Sequence, residues 1–361
     1  MIKGINKTKE EGLYRAIEKD SSSSLKDFSM DRRKYYKKYY LREKVEEKDN
    51  LATNMGRLVE TLLLEPEEFD NRFYMSSCVT VPTGLMLEFV EALYRATAAA
   101  TDGFGVITRT FEDITDDAYA ASGFKIAKAA VLGKFMDSSN EIYYREIREV
   151  RSKNLTVVTA QDVTNAERIV EELQNNEFTK TIINTVTDDR FTVMNQFQIE
   201  SYFVEGHEFK SMIDKIIVDH QKKEIHIYDL KCVWSVENFF GDYYLYRRAY
   251  IQGYLYWRAV NHLCLSEGYD KWIGYTVLLP QFIVCDSINY YSPLIYSMDE
   301  QDMINAFEGF TWNDKIYPGV RYLIEDLKWA QTMDVWNISK TNYENKGFVN
   351  IRPNGHQENS D

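Results

Sequence analysis

Apolar residues recur at helical spacing through much of the first half of the chain, and from Phe191 the period shortens to two. SSSSLKDF at residues 21–28 predicts a serine-capped helix with Leu25 and Phe28 on its apolar face. A basic, tyrosine-rich helix over 31–44 and an acidic turn, EEKDN, follow. Residues 51–64, LATNMGRLVETLLL, place Met55, Leu58, Val59 and Leu62 on one stripe. Glu65-Pro66 ends that helix, because proline disfavours helical geometry in the residue before it. Residues 87–176 read as largely helical around a short strand at 156–159, with Thr159 and Asp162 marking a helix start.

The period-two region predicts three strands: FTVMNQFQIESYFV from Phe191, a second over 209–218, and a third over 224–233, the last two joined by the polar turn DHQKK. In the third, Ile225, Ile227, Asp229 and Lys231 share one face, and His226, Tyr228 and Leu230 the other. Asp214 lies on the preceding strand, so a hairpin brings the two aspartates together. A helix over 243–263 sets Arg248, Gln252 and Tyr256 at successive i, i+4 positions. WIGYTVLLP, residues 272–280, reads as a buried strand, and SINYYSPLIYSM as another strand or pair. Two amphipathic helices over 299–310 and 320–332 precede a polar tail.

Composition narrows the classes. The 361 residues are 44% hydrophobic, enough for a substantial core, and no Pro/Gly/Ser-rich linker divides them, which favours one elaborated domain. The polar N-terminus lacks a signal-peptide run, and no stretch of about 18 apolar residues occurs, so a soluble, cytoplasmic protein without membrane contact is expected. Cys78, Cys232, Cys264 and Cys285 lack CxxC spacing, which argues against zinc ribbons and an iron–sulfur cluster. The formal net charge of −13 opposes phosphate binding unless basic residues are concentrated locally. DRRKYYKKYYLREK concentrates them: Arg32, Arg33, Lys37 and Lys38 stand among tyrosines able to meet bases or sugars. The same segment also fits a solvated amphipathic helix with inward tyrosines.

The pattern D-x(14)-D-x-K, formed by Asp214, Asp229 and Lys231, suits a hard metal ion, because Mg²⁺ takes oxygen ligands and keeps several waters. Both acids sit within apolar strand runs, where an unpaired charge is costly. Lys231 would orient the attacking water or stabilise charge on a phosphate, and the Cys232 carbonyl is a further candidate ligand. Spacing alone is a weak pattern and also fits strand-end aspartates with Lys231 as their ion-pair partner.

SSSLK at 22–26, GRLVETLLLEPEEFDNRF at 56–73, SMIDKI, IYDLKC and YIQGYLY occur in an order that resembles the PD-(D/E)XK nuclease superfamily. The likeness is to its RecE-type (exonuclease VIII) branch, related to lambda exonuclease and RecB nuclease domains, and covers roughly residues 20–290. It departs from the family at Glu60, where a metal-proximal histidine is usual; a glutamate can also ligate Mg²⁺.

The resemblance implies a restriction-endonuclease-like α/β fold, a mixed sheet flanked by helices with a helical N-terminal elaboration. It divides one nuclease domain over 1–340 into a helical part to about 190, a catalytic sheet core over 191–295 and C-terminal helices over 296–340, before a tail at 341–361. The implied site comprises Asp214, Asp229, Lys231, Gln252 and Tyr256, with Glu60, Asp214, Asp229 and Cys232 about a Mg²⁺ for which Mn²⁺ substitutes. Arg32, Arg33, Lys37, Lys38 and Arg248 would contact DNA. The implied activity is 5′→3′ exonuclease action on duplex ends in phage-type recombination, in a bacterial or phage-infected cell, beside a single-strand annealing protein and in a ring-shaped homo-oligomer. Competing expectations are a catalytically silent DNA-binding or assembly protein on the same fold, and an endonuclease or nickase.

Overall fold

The computed structural model describes residues 11–43, 51–77, 81–136, 138–153, 155–265 and 272–349. The acidic turn expected at 46–50, Cys78 and the end of the polar tail lie outside these. The chain forms two compact units, one of residues 57–170 and one of residues 1–56 with 171–361.

The 57–170 unit is mainly helical. Strands β1 (Phe73–Met75) and β2 (Thr156–Val158) form a short parallel pair. Helices Gly84–Ala99, Phe111–Ser122, Lys128–Phe135 and Ser139–Val150 enclose Phe89, Leu93, Val131, Phe135 and Ile147, all essentially inaccessible.

The other unit carries a mixed six-stranded sheet with helices packed on it, as expected. It contains β3 (Phe191–Val204), β4 (His207–Asp219), β5 (Glu224–Val233), β6 (Thr276–Val277), β7 (Gln281–Asp286) and β8 (Leu294–Ser297). The order is β3-β4-β5-β7-β8, with β6 also on β5. β3, β4 and β5 form an antiparallel meander, whereas β7 lies parallel to β5. β9 (Gly309–Trp312) and β10 (Lys315–Pro318) make a separate hairpin.

The apolar run read as a buried strand at 272–280 requires correction. Only Thr276 and Val277 pair there, and the buried strand begins after Pro280 with QFIVCD. β7 lies between β5 and β8 and is buried along nearly its whole length, so it shows a continuous apolar run without alternation. The hairpin β9–β10 was likewise not legible from the period.

Helix Ser22–Met30 starts as expected: the Ser21 hydroxyl accepts from the Ser24 amide, and the Ser24 hydroxyl accepts from the Ser21 amide. Leu25 and Phe28 enter the same core as the inner face of helix Ala249–Leu263 and the strand residues Ile216, Val218, Ile225 and Ile227. Helix Ala249–Leu263 approaches the sheet closely at Gly253, where an added Cβ would overlap the Met298 side chain and lie 3.3 Å from Phe282. Among the described residues, no helix is long and apolar enough to cross a membrane.

Candidate active site

The site lies where β4 and β5 separate. Their ladder pairs Val218 with Ile225 and Ile216 with Ile227, and ends at Lys215 with Tyr228. Beyond that point β4 continues beside β3, while β5 pairs on its other edge with β7 from Tyr228 to Val233. Asp214 and Asp229 occupy the next place in the register, on the face of the two isoleucines, because opposite residues of an antiparallel pair project together. The apolar face thus supplies the wall, and its last rung is a pair of carboxylates.

Each acid is held by partners. Asp214 Oδ2 accepts the Leu230 amide hydrogen at 2.8 Å, taking the place of the carbonyl that a continued ladder would have offered. Asp229 is about 1% exposed, and its Oδ1 accepts from Gln252 Nε2 at 2.7 Å. Its Oδ2 is buried in an ion pair with Lys231 Nζ and accepts no well-aligned hydrogen bond. A carboxylate oxygen so placed retains capacity for a further electropositive partner.

Gln252 and Tyr256 lie one turn apart on helix Ala249–Leu263, and Gln252 Nε2 also donates to the Tyr256 hydroxyl at 2.8 Å. Burial, reinforced by the charges of Asp214 and Asp229, raises the Tyr256 phenol well above its ordinary value, so it stays protonated. Lys26, from helix Ser22–Met30, donates to Gln252 Oε1 at 2.9 Å. Burial pushes the Lys26 ammonium down to about 8; the nearby charge of Lys231 acts in the same direction, and Asp229 opposes both. The sequence placed Lys26 in a motif without giving it a role. Its signal was weak: one lysine directly after the buried Leu25.

Glu60 is half-buried on helix Leu51–Leu64, within the 57–170 unit. Cys232 is half-buried on β5, and its register partner on β7 is Cys285. Arg248 does not share the Gln252–Tyr256 face: the helix starts at Ala249, Arg248 takes a left-handed conformation (φ 59°), and the preceding turn, Phe240–Tyr246, is π-helical. Its guanidinium lies 5.0 Å over the Tyr317 ring, with Nε and Nη1 buried. The neighbouring Arg247 is exposed and stacks on Tyr243 at 4.6 Å.

In the basic segment, Arg32 forms a buried ion pair with Asp326 and covers the Phe28 ring at 4.4 Å, so it is structural. Lys34 pairs with Asp27 at 2.7 Å, and Lys38 lies 4.0 Å from the same carboxylate. Arg33 and Lys37 are exposed. Tyr35 packs inward, whereas Tyr36 and Tyr40 stack beside Trp336.

The donor set suits a hard divalent cation. Mg²⁺ is commonly held by one or two carboxylates and completes its shell with water and substrate oxygens. Among the described residues no three His, Cys, Asp or Glu side chains gather into a group able to hold a metal ion.

No protein-family model matches the chain. No curated protein matches it in sequence. Among solved structures, it is similar to a candidate exonuclease from Eubacterium rectale, with 11% identity and a TM-score of 0.42 over 83% of this chain and 82% of that one.

Proposed function

We propose that the protein is a Mg²⁺-dependent deoxyribonuclease that hydrolyses phosphodiester bonds at duplex DNA ends. The observation that carries this reading is the position of Asp214 and Asp229 just past the last β4–β5 register pair, with Asp214 accepting from the Leu230 amide and the Lys231 ammonium against Asp229. Two carboxylates and a lysine match the needs of phosphodiester hydrolysis: negative groups to hold a divalent cation, and a cationic group for the reacting phosphate.

Asp214 and Asp229 would hold the ion. When bound, Mg²⁺ neutralises charge on the phosphodiester and activates water for attack. Lys231 would orient that water or carry charge gathering on the phosphate oxygens. Gln252 keeps Asp229 in one rotamer through the Oδ1 hydrogen bond. Tyr256, protonated and held by Gln252, retains a hydroxyl hydrogen for a nearby anion. Arg33, Lys37 and Arg247 are the exposed cations we assign to the DNA backbone.

The exonuclease mode, the 5′→3′ polarity, a recombination role beside an annealing protein, and a ring-shaped oligomer follow from the resemblance of the ordered motifs. A second reading, a silent DNA-binding or assembly protein, is favoured by one feature: both oxygens of Asp229 are already engaged by Gln252 and Lys231. Incubation of the purified chain with linear and with closed circular duplex, with Mg²⁺ or with chelator, separates these readings. Mg²⁺-dependent loss of linear DNA alone is expected. Cleavage of closed circles would indicate an endonuclease, and no cleavage of either the silent protein.

A further inference from the structure

Four side chains from three separate elements form one directed chain: Lys26 to Gln252, and Gln252 to both Asp229 and Tyr256. An amide has two faces of opposite polarity, and which way it points is decided by its neighbours. At Gln252 the neighbours leave one answer. Lys26 offers only donors, so the acceptor Oε1 must face it. The Asp229 carboxylate, paired with the Lys231 ammonium, presents an acceptor oxygen, so Nε2 must face that side. Turning the amide over would set an oxygen against a carboxylate and an NH₂ against an ammonium. The two Nε2 hydrogens are then both used, one on Asp229 and one on Tyr256.

We propose that Lys26 is a positioning residue for Asp229 that acts through the Gln252 amide; this rests on the metal-dependent reading of the acid pair. Lys26 reaches the site from a helix that is itself fixed. Ser21 and Ser24 cap it, the Ser24 hydroxyl donates to Asp20 at 2.7 Å, and Leu25 and Phe28 bury its inner face. A partly buried ammonium whose hydrogen bond goes to a neutral amide is a costly arrangement that packing alone does not call for. Its effect is to remove one of two amide orientations, which keeps a donor on Asp229 Oδ1 and leaves Oδ2 facing Lys231 and an incoming cation. The N-terminal helix, Gln252 and β5 thus act on one carboxylate.

A double-mutant cycle tests this, because residues that act through one another lose additivity. Mn²⁺ is titrated calorimetrically into the full chain as wild type, Lys26→Met, Gln252→Ala and the double variant. Lys26→Met should weaken Mn²⁺ binding about tenfold in the wild-type background, the usual scale for a partner that orients a metal ligand. In the Gln252→Ala background it should change the affinity by less than about twofold. Wild-type affinity in Lys26→Met, or losses that multiply in the double variant, would overturn the assignment. Lys26→Arg, which keeps a charged donor, should bind within about threefold of wild type and serves if the methionine variant does not fold; a folded arginine variant as weak as Gln252→Ala also overturns it. Asp229→Ala is the control for the underlying reading. Undiminished Mn²⁺ binding there removes the metal site itself, whereas lost binding beside an unaffected Lys26→Met removes only the role of Lys26.

Discussion

The carboxylate of Asp214 accepts the backbone N–H of Leu230 at 2.8 Å, at the first position where β4 no longer pairs with β5. One side chain therefore closes the end of the ladder and presents charge to the site. The two roles separate by substitution. Asp214→Asn keeps an acceptor and should retain stability, while Asp214→Ala strands a half-buried amide and should cost about 1–3 kcal/mol in chemical denaturation. Both should lower Mg²⁺-dependent hydrolysis by about 100-fold or more, the scale of removing one preorganised electrostatic group. Equal stability of the two variants would contradict the capping role.

Gly253 allows helix Ala249–Leu263 to rest against β7 and Met298. Gly253→Ala should destabilise the protein by about 1–3 kcal/mol, as overpacking does. Met298→Ala should cost less in the Gly253→Ala background than in wild type, the non-additivity of two groups that share one space. A Gly253→Ala melting curve that overlays wild type would show that the helix has room there.

Lys215 lies next to Asp214 but on the opposite face of β4, 5% exposed, with Asn195 Oδ1 3.5 Å from its ammonium. Burial pushes Lys215 down from 10.5 to about 8. A lysine lowered in the folded state is more protonated when unfolded between those values, so it opposes folding below pH 8 and this penalty fades as pH rises toward 10.5. Lys215→Met should therefore be more stable than wild type by roughly 1–3 kcal/mol at pH 7. The gap should narrow between pH 8 and 10; urea midpoints at pH 7, 8.5 and 9.5 measure it, and a widening gap contradicts the assignment.

The basic segment divides by partner. Arg32→Ala breaks the buried pair with Asp326 and should destabilise the fold by about 3–5 kcal/mol. Reversing Arg33 and Lys37 should leave the fold intact, weaken DNA binding, and flatten the salt dependence by roughly one unit of log–log slope for each phosphate no longer neutralised. An unchanged slope would return this segment to a solvated helix face.

Legibility followed the range of the interactions. β3 and β5 match the sequence reading to the residue, and alternation along β5 placed Asp229 on one face with Lys231, its ion-pair partner in the structure. β7 was hidden because a strand flanked on both edges and buried on both faces has no polar phase, and a second apolar run lies directly before it, on the other side of Pro280. The helix carrying Gln252 begins later than its pattern suggests because nothing local in YLYRRAY announces a left-handed Arg248; its guanidinium is engaged by Tyr317, far along the chain. Arg32 was illegible for the same reason, since Asp326 is 294 positions away. Lys26 required knowing that helix Ser22–Met30 packs beside Gln252, which no local pattern encodes.

The most direct measurement is the time course of linear duplex digestion with Mg²⁺ by wild type, Asp229→Asn and Lys231→Met, each shown to melt as a folded protein. Digestion by wild type and a loss of about 100-fold or more in both variants are the expected result. Digestion by both variants at the wild-type rate would contradict a hydrolytic role for Asp229 and Lys231.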